Sequence, residues 1–285
     1  MSSLEQAKNR TSFLLSNLKD PEGRLPIWSG FSKEVIQEMV KGDFSNLCNW
    51  PVIRKTMFCI PDKVVLQYLK ESKDWSVWEK VLQEDSAGNP PTYGLLQGSS
   101  SNLIHHVYHV AKFVEKTKCN VADLDEIVEF GGGFGSLCRV FYKLGFKGRY
   151  IIYDLPEFNI LQEYYLSQIK EVPKILYNEV SSSNKCVVLL CNMDMFHEQM
   201  SYCSRNSIFV ATWSISETPL EFRNKFFDVL PSMKYFLMAY LDVFVGIENK
   251  EFFDNFAANK PEYIWMDWKI EHFTSQERYI MGMLK

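Results

Sequence analysis

The segment Glu129-Phe130-Gly131-Gly132-Gly133-Phe134-Gly135 follows the apolar pair Ile127-Val128 and is answered by Ile151-Ile152-Tyr153-Asp154. It reads as a strand, a glycine turn, a helix and a second strand that ends on a carboxylate. No other stretch restricts the fold as much, because strand-helix-strand units of this kind build open, mostly parallel sheets. Glycine in the turn permits backbone conformations that a side chain forbids and lets a ligand approach the main chain. Asp154, 19 residues beyond Gly135, is then placed to meet ribose hydroxyls. The pattern is that of a nucleoside-cofactor site, or, taken without its context, of a bare structural turn.

Spacing separates two classes of cofactor. A dinucleotide fingerprint needs G-x-G-x-x-G, with the third glycine allowing close helix packing near a pyrophosphate. Here that third position is Ser136, and the glycines fall at alternate positions, 131, 133 and 135, behind Glu129. This arrangement resembles motif I of class I S-adenosylmethionine-dependent methyltransferases, in which no pyrophosphate needs the helix N-terminus.

Composition narrows the partners. A chain of 285 residues with 46% hydrophobic residues fits one large domain, or a domain with an appendage, around an ample core. The formal charge of −4 gives no general attraction to phosphate backbones, which argues against nucleic acid as the partner. No apolar run reaches the length of a membrane span, and Met1-Ser2-Ser3-Leu4-Glu5 lacks the features of a signal peptide, so a soluble cytoplasmic protein is expected. A homo-oligomer stays open. The seven cysteines, at 48, 59, 119, 138, 186, 191 and 203, include no C-x-x-C pair and read as free buried thiols rather than disulfides or a zinc site.

Along the chain, the first 84 residues read as helical, with Pro51 and Pro61 as helix openers and apolar stripes at Val64, Val65, Tyr68 and Leu69 and at Trp75, Trp78 and Leu82. Asp85 to Ser101, rich in Gly, Pro, Ser and Asn, is expected to be a loop. Residues 1–101 would form a helical cap and loop, as a substrate lid or as plain packing, and 102–285 the cofactor domain. That domain opens with a helix over 102–116. Strands are predicted near 127–131, 149–154, 186–191, 207–212, 235–241, 262–270 and 278–284, with helices near 135–144, 156–168, 219–230 and 248–257. The last two strands are separated only by Phe273-Thr274-Ser275-Gln276-Glu277, which implies an antiparallel terminal pair. The expected class is α/β: a Rossmann-like, seven-stranded sheet with an antiparallel terminal hairpin behind an α-helical N-terminal cap.

Several segments together resemble the family of sugar O-methyltransferases of glycan and glycosylated natural-product biosynthesis. They are Val128 to Gly135, Tyr153-Asp154-Leu155-Pro156-Glu157 running into Leu161-Gln162-Glu163-Tyr164-Tyr165-Leu166, Ser214-Ile215-Ser216-Glu217, and Gly88-Asn89-Pro90 with Tyr93. The resemblance covers roughly residues 25–285 and implies S-adenosylmethionine as cofactor, S-adenosylhomocysteine as product, and a small-molecule or glycan acceptor. The family's third strand matches either Ile175-Leu176-Tyr177 or Val187 to Leu190.

Ligands of open parallel sheets lie beyond the carboxyl ends of the strands, so site candidates follow each strand. For the cofactor these are Glu129, Gly131, Gly133, Gly135, Asp154 and Leu155, with Asn192 or Asp194 for the adenine amine. Asp154 could instead cap the following helix. A sugar hydroxyl is weakly acidic, so a positioned base is useful. Glu217, beyond the fourth strand of the expected sheet, is the foremost candidate, with helix capping before Pro219 as its alternative. His105, His106 and His109 form a cluster suited to a base and an acceptor clamp, to metal binding, or to an exposed polar face; no H-E-x-x-H accompanies it and no metal is expected. Asp242 stands as a further candidate base, and Tyr93, His109 and His197 as substrate contacts. Three other functions remain open: a methyltransferase for a phenol or amine, an NAD(P) reductase, and a non-catalytic binding module.

Overall fold

The computed structural model describes residues 2–17, 21–59, 62–92, 94–270 and 276–285. Tyr93, Pro61 and most of the expected terminal turn lie outside them. The chain opens with helices α1 (Ser3–Ser16), α2 (Pro26–Lys41), α3 (Pro51–Met57), α4 (Lys63–Glu71) and α5 (Trp75–Val81). Proline at the first helical position starts α2 and α3, and a left-handed Gly42 ends α2. After the irregular stretch up to Ser100, α6 (Ser101–Thr117) begins where the Ser100 hydroxyl accepts the Leu103 amide.

The sheet region then runs β1 (Glu126–Phe130), α7 (Ser136–Lys143), β2 (Arg149–Tyr153), α8 (Pro156–Leu166), β3 (Ile175–Tyr177), β4 (Val187–Leu190), α9 (Met193–Met200) and β5 (Ser207–Thr212). It continues with α10 (Leu220–Val229), β6 (Tyr235–Leu241), the small β7 (Val243–Phe244) and β8 (Ile247–Glu248) hairpin, α11 (Asn249–Ala258), β9 (Tyr263–Lys269) and β10 (Glu277–Leu284). The strand order is β3-β4-β2-β1-β5-β6-β10-β9. All neighbours from β3 to β6 are parallel, whereas β10 is antiparallel to both β6 and β9. This is the expected Rossmann-like sheet with its antiparallel terminal pair.

Three features depart from the sequence reading. The sheet has eight strands rather than seven, because both candidates for the third strand are strands: β4 pairs with β2, and β3 adds an edge beyond it. Helix α9 occupies a stretch given no element from sequence; Asn192 caps it by accepting the Asp194 and Met195 amides. The β7–β8 hairpin was likewise not expected.

Alternation along the strands sorts side chains to two faces. Ile127, Ile152 and Val210 face a core shared with α6, α7 and α8, and this core continues without a break into the N-terminal helices through Val35, Phe44 and Leu69. Val128, Phe130, Ile151 and Phe209 face the other core, beneath α9, α10 and α11. Ion pairs fasten the cap as well: Arg139 of α7, fully buried, donates to Asp85 at 2.6 Å, and Arg10 of α1 to Glu163 of α8 at 2.5 Å. Arg139 also donates to the carbonyls of Val81 and Gln83, so one buried guanidinium ties α7 to the end of α5 and the segment after it. Among the described residues, no helix is long and apolar enough to cross a membrane, and the seven cysteines are free thiols.

Candidate functional site

A cavity of about 330 Å³ opens beyond the carboxyl ends of β1, β2 and β5 and is covered by residues of α2, α3 and α6. On the sheet side its wall is the glycine turn. The Gly131 amide donates to the Tyr153 carbonyl at 2.8 Å, which ties the turn to β2. Gly131 has φ of 71°, and a Cβ there would lie 2.3 Å from the Ser214 Cβ. A Cβ on Gly133, at φ of 57°, would meet the Met57 Sδ at 2.8 Å. Both positions therefore require glycine for conformation and for space. Gly131, Gly132 and Gly133 line the cavity; Gly135 does not. Its left-handed backbone caps α7, and a Cβ there would press on Leu166 of α8, so its role is packing rather than ligand contact.

Asp154 joins the turn to β2. Its Oδ1 accepts the Leu155 amide at 2.7 Å, and its Oδ2 accepts the Gly133 amide at 3.1 Å and the Gln162 side-chain amide at 2.7 Å. These occupy three of the roughly four lone-pair positions of a carboxylate and leave one, on Oδ1, for a ligand hydroxyl. Simultaneous capture of both hydroxyls of a diol thus needs one internal bond to give way. Helix α8 carries Leu155 at its N-cap without a side-chain cap, which removes the capping alternative for Asp154. Burial, with some help from Glu157, pushes the Asp154 carboxyl up to about 7. Glu129 is buried beside the turn and accepts the Tyr150 hydroxyl at 2.9 Å; burial, partly opposed by that bond, pushes it up to about 8. Leu155 lines the same cavity. Asn192 and Asp194 line an adjoining groove that shares Tyr153 and Cys191 with it.

Glu217, the last residue of the 3-10 turn Ser214–Glu217 that follows β5, lines the same cavity. Its Oε2 accepts the Trp28 indole N–H at 2.8 Å, and burial pushes its carboxyl up to about 7. The cap of α10 is Pro219, without a side-chain bond, so Glu217 is not the cap of that helix. His105 and His106 of α6 also line the cavity. Burial pulls them down to about 3 and about 4, so both rings are neutral near pH 7. Trp213, at the end of β5, holds a φ of 71° and ψ of −44°, a conformation that bulky residues rarely adopt and that costs on the order of 1–3 kcal/mol. Its amide donates to the Ala239 carbonyl at 2.7 Å.

Other sequence candidates lie elsewhere. His109 is fully buried behind His105, with ring centroids 4.3 Å apart, and bonds the Tyr279 hydroxyl rather than facing the cavity. Asp242 accepts the Asn249 amide through its carbonyl and sets its Oδ1 3.7 Å from the Arg278 Nε, away from the cavity lining. His197 is exposed on α9. The histidine cluster is not an exposed polar face: His109 is buried, and His105 and His106 are half-buried and line the cavity. Among the described residues, no group of three or more His, Cys, Asp or Glu side chains could hold a metal ion. Sequence reasoning missed Trp28, Gln162 and Trp213. Trp213 was open to the strand-end rule; Trp28 carried no local signal.

The shifted groups give a stability profile. Glu129, Asp154 and Glu217 have folded-state pKa values above their ordinary 4.5, 3.8 and 4.5. Each contributes stability that is complete below the unfolded value and lost as pH rises through about 7 to 8. His105 and His106 are displaced downward from 6.5, so their contribution is present above 6.5 and lost as pH falls toward about 4 and 3. The two sets oppose each other between roughly pH 4.5 and 6.5. The raised carboxyls outnumber the lowered imidazoles, so a thermal midpoint that declines gently through that window and more steeply from about pH 6.5 to 8 is expected by calorimetry. A midpoint rising steadily from acid to pH 8 would contradict enclosure of the three carboxyls.

The fold defines a class: an open Rossmann-like sheet with an inserted antiparallel strand and a cavity at its carboxyl edge. No protein-family model matches the chain, and no curated protein matches it. Solved structures with a similar course include an O-methyltransferase from Bacillus cereus in complex with SAH, with 15% identity, coverage of 81% of this chain and 99% of that one, and a TM-score of 0.46. Another is magnesium protoporphyrin IX methyltransferase from Synechocystis PCC 6803 with bound SAM, with 11% identity, coverage of 80% and 99%, and a TM-score of 0.45. The 16S rRNA methylase ArmA shows 11% identity, coverage of 78% and 98%, and a TM-score of 0.39. At such distances the fold assignment rests on this chain's own strand order and connectivity.

Proposed function

We propose that this chain is an S-adenosylmethionine-dependent O-methyltransferase whose acceptor is a sugar hydroxyl of a small molecule or glycan. The observation that carries the proposal is that one cavity is lined both by the Asp154-braced glycine turn and by Glu217, a carboxyl whose pKa burial raises to about 7. The residues present suit this cofactor: Gly131 and Gly133 hold left-handed backbone with no room for a Cβ, and Asp154 retains an acceptor position for a ribose hydroxyl. Gly131, Gly133, Glu129, Asp154 and Leu155 would hold its methionine and ribose portions, and Asn192 or Asp194 its adenine. When bound, S-adenosylmethionine supplies an electrophilic methyl group.

The protein's part is to orient the acceptor oxygen, exclude water and remove a proton. Glu217 takes the proton that the hydroxyl loses, since a base with a pKa near the working pH is the most effective. His105 and His106, held neutral, serve as hydrogen-bond partners to the acceptor rather than as bases. Helices of the segment 1–101 supply Trp28, Phe31 and Met57 to the cavity and act as its lid. The aromatic wall of Trp28, Phe31 and Phe158 suits the face of a sugar ring and equally a phenol, which keeps a phenolic acceptor as the second reading.

Calorimetric titration with S-adenosylhomocysteine, and with NADH in parallel, tests the cofactor. Stoichiometric binding of the first alone is the expected result, and binding of NADH would overturn it. A methylation panel of nucleotide sugars, glycosides and phenols then decides the acceptor.

A further inference from the structure

Trp28 lies in the first turn of α2, yet its polar contact is with the opposite end of the chain. Its indole N–H donates to Glu217 Oε2 at 2.8 Å, and among the described residues it is the hydrogen-bond donor to that carboxylate. Edge contacts with Phe31 at 5.4 Å and Phe158 at 6.1 Å between centroids fix the ring. Just ahead of α2, Arg24 pairs with Glu157 of α8 at 2.9 Å, with both side chains nearly enclosed. The start of α2 thereby joins α8, which follows Asp154, to the turn that follows β5.

Resting on Glu217 as the base, we propose that Trp28 is a positioning residue: its indole N–H orients the Glu217 carboxylate and favours its ionised form, making proton removal conditional on the docking of α2. A hydrogen bond to the charged form lowers a carboxyl's pKa, and here it works against burial. With one oxygen held by Trp28, the other is left to receive a proton. The titratable groups sharing the cavity are Glu22 and Arg24 ahead of α2, Lys55 of α3, His105 and His106 of α6, Glu129 of β1, Tyr153 and Asp154 at the end of β2, and Cys191 after β4.

The test is Trp28→Phe, which keeps an aromatic ring and removes the donor. In an infrared titration, with the Glu217 band identified by its loss in Glu217→Gln, the midpoint is expected to rise by about one unit or more, the worth of a hydrogen bond to a charged group. This readout needs no acceptor. With an acceptor, kcat should fall and its acid limb move to higher pH while KM changes little. In the Glu217→Gln background, Trp28→Phe should cost nothing further in kcat. An unmoved midpoint, or losses that multiply, would overturn the proposal. Full activity in Glu217→Gln would instead sink the base assignment and leave the midpoint shift standing as a structural link. Should Trp28→Phe fail to fold, indole ¹⁵N spectra of the wild-type and Glu217→Gln proteins replace it: one indole proton signal must move, and seven unmoved signals refute the contact.

Discussion

Asp154→Ala is expected to abolish measurable binding of S-adenosylhomocysteine while the far-ultraviolet circular dichroism stays that of the wild type. The carboxylate does two things at once. It offers a ribose hydroxyl an acceptor that is charged above a pKa of about 7, and it holds the Gly133 amide and the Gln162 side chain that shape the turn. A hydrogen bond to a charged group contributes about 1.5–3 kcal/mol, and a stranded buried donor costs about 1–3 kcal/mol. Loss of the hydroxyl contact together with a loosened turn therefore predicts at least about a hundredfold weaker binding. Thermal stability should fall too, because the Gly133 amide loses its acceptor and Gln162 keeps only its bond to the Gly133 carbonyl, even without ligand. Wild-type affinity in a folded Asp154→Ala protein would remove Asp154 from the cofactor site and leave it as a brace of the turn.

Glu217→Gln should give the opposite pattern: unchanged S-adenosylhomocysteine binding in the same calorimeter and a kcat lowered by about 10²- to 10⁴-fold, the usual worth of a positioned base. Equal loss of cofactor binding in the two variants, with the fold intact, would remove Glu217 from the catalytic role. The pH dependence is a separate check. A base must be ionised, and burial raises this carboxyl to about 7, so wild-type turnover should be lost as pH falls through 7. It should drop about tenfold for each unit below that. Were His105 or His106 the base, with pKa values near 3 and 4, the rate would be flat from pH 5 to 8. The acid limb thus separates the two candidates, and it should be absent from the residual activity of Glu217→Gln.

The parts of this site that were legible in sequence are those in which neighbours in the chain are neighbours in space. A strand, a turn and a helix within a dozen residues make the wall from Glu129 to Gly133, and the same local logic placed Asp154 at the end of β2 and Glu217 beyond β5. The antiparallel terminal pair was legible because five residues cannot carry a crossover. Where β3 and β4 follow each other, local pattern could not choose between them; both satisfy strand propensity, and only pairing with β2 decides which is interior.

By itself, then, the sequence determined the sheet, the glycine turn and the residues at its carboxyl edge, since hydrophobic period and backbone sterics act over a few residues. Tertiary structure alone decided that His109 stands behind His105 rather than in the cavity, that Asp242 bonds the start of α11, and that Trp28 reaches Glu217 from 189 residues away. It also set the proton affinities. Those depend on how completely the N-terminal helices exclude water from the carboxyls and imidazoles beneath them, and desolvation belongs to the packed assembly rather than to any stretch of chain.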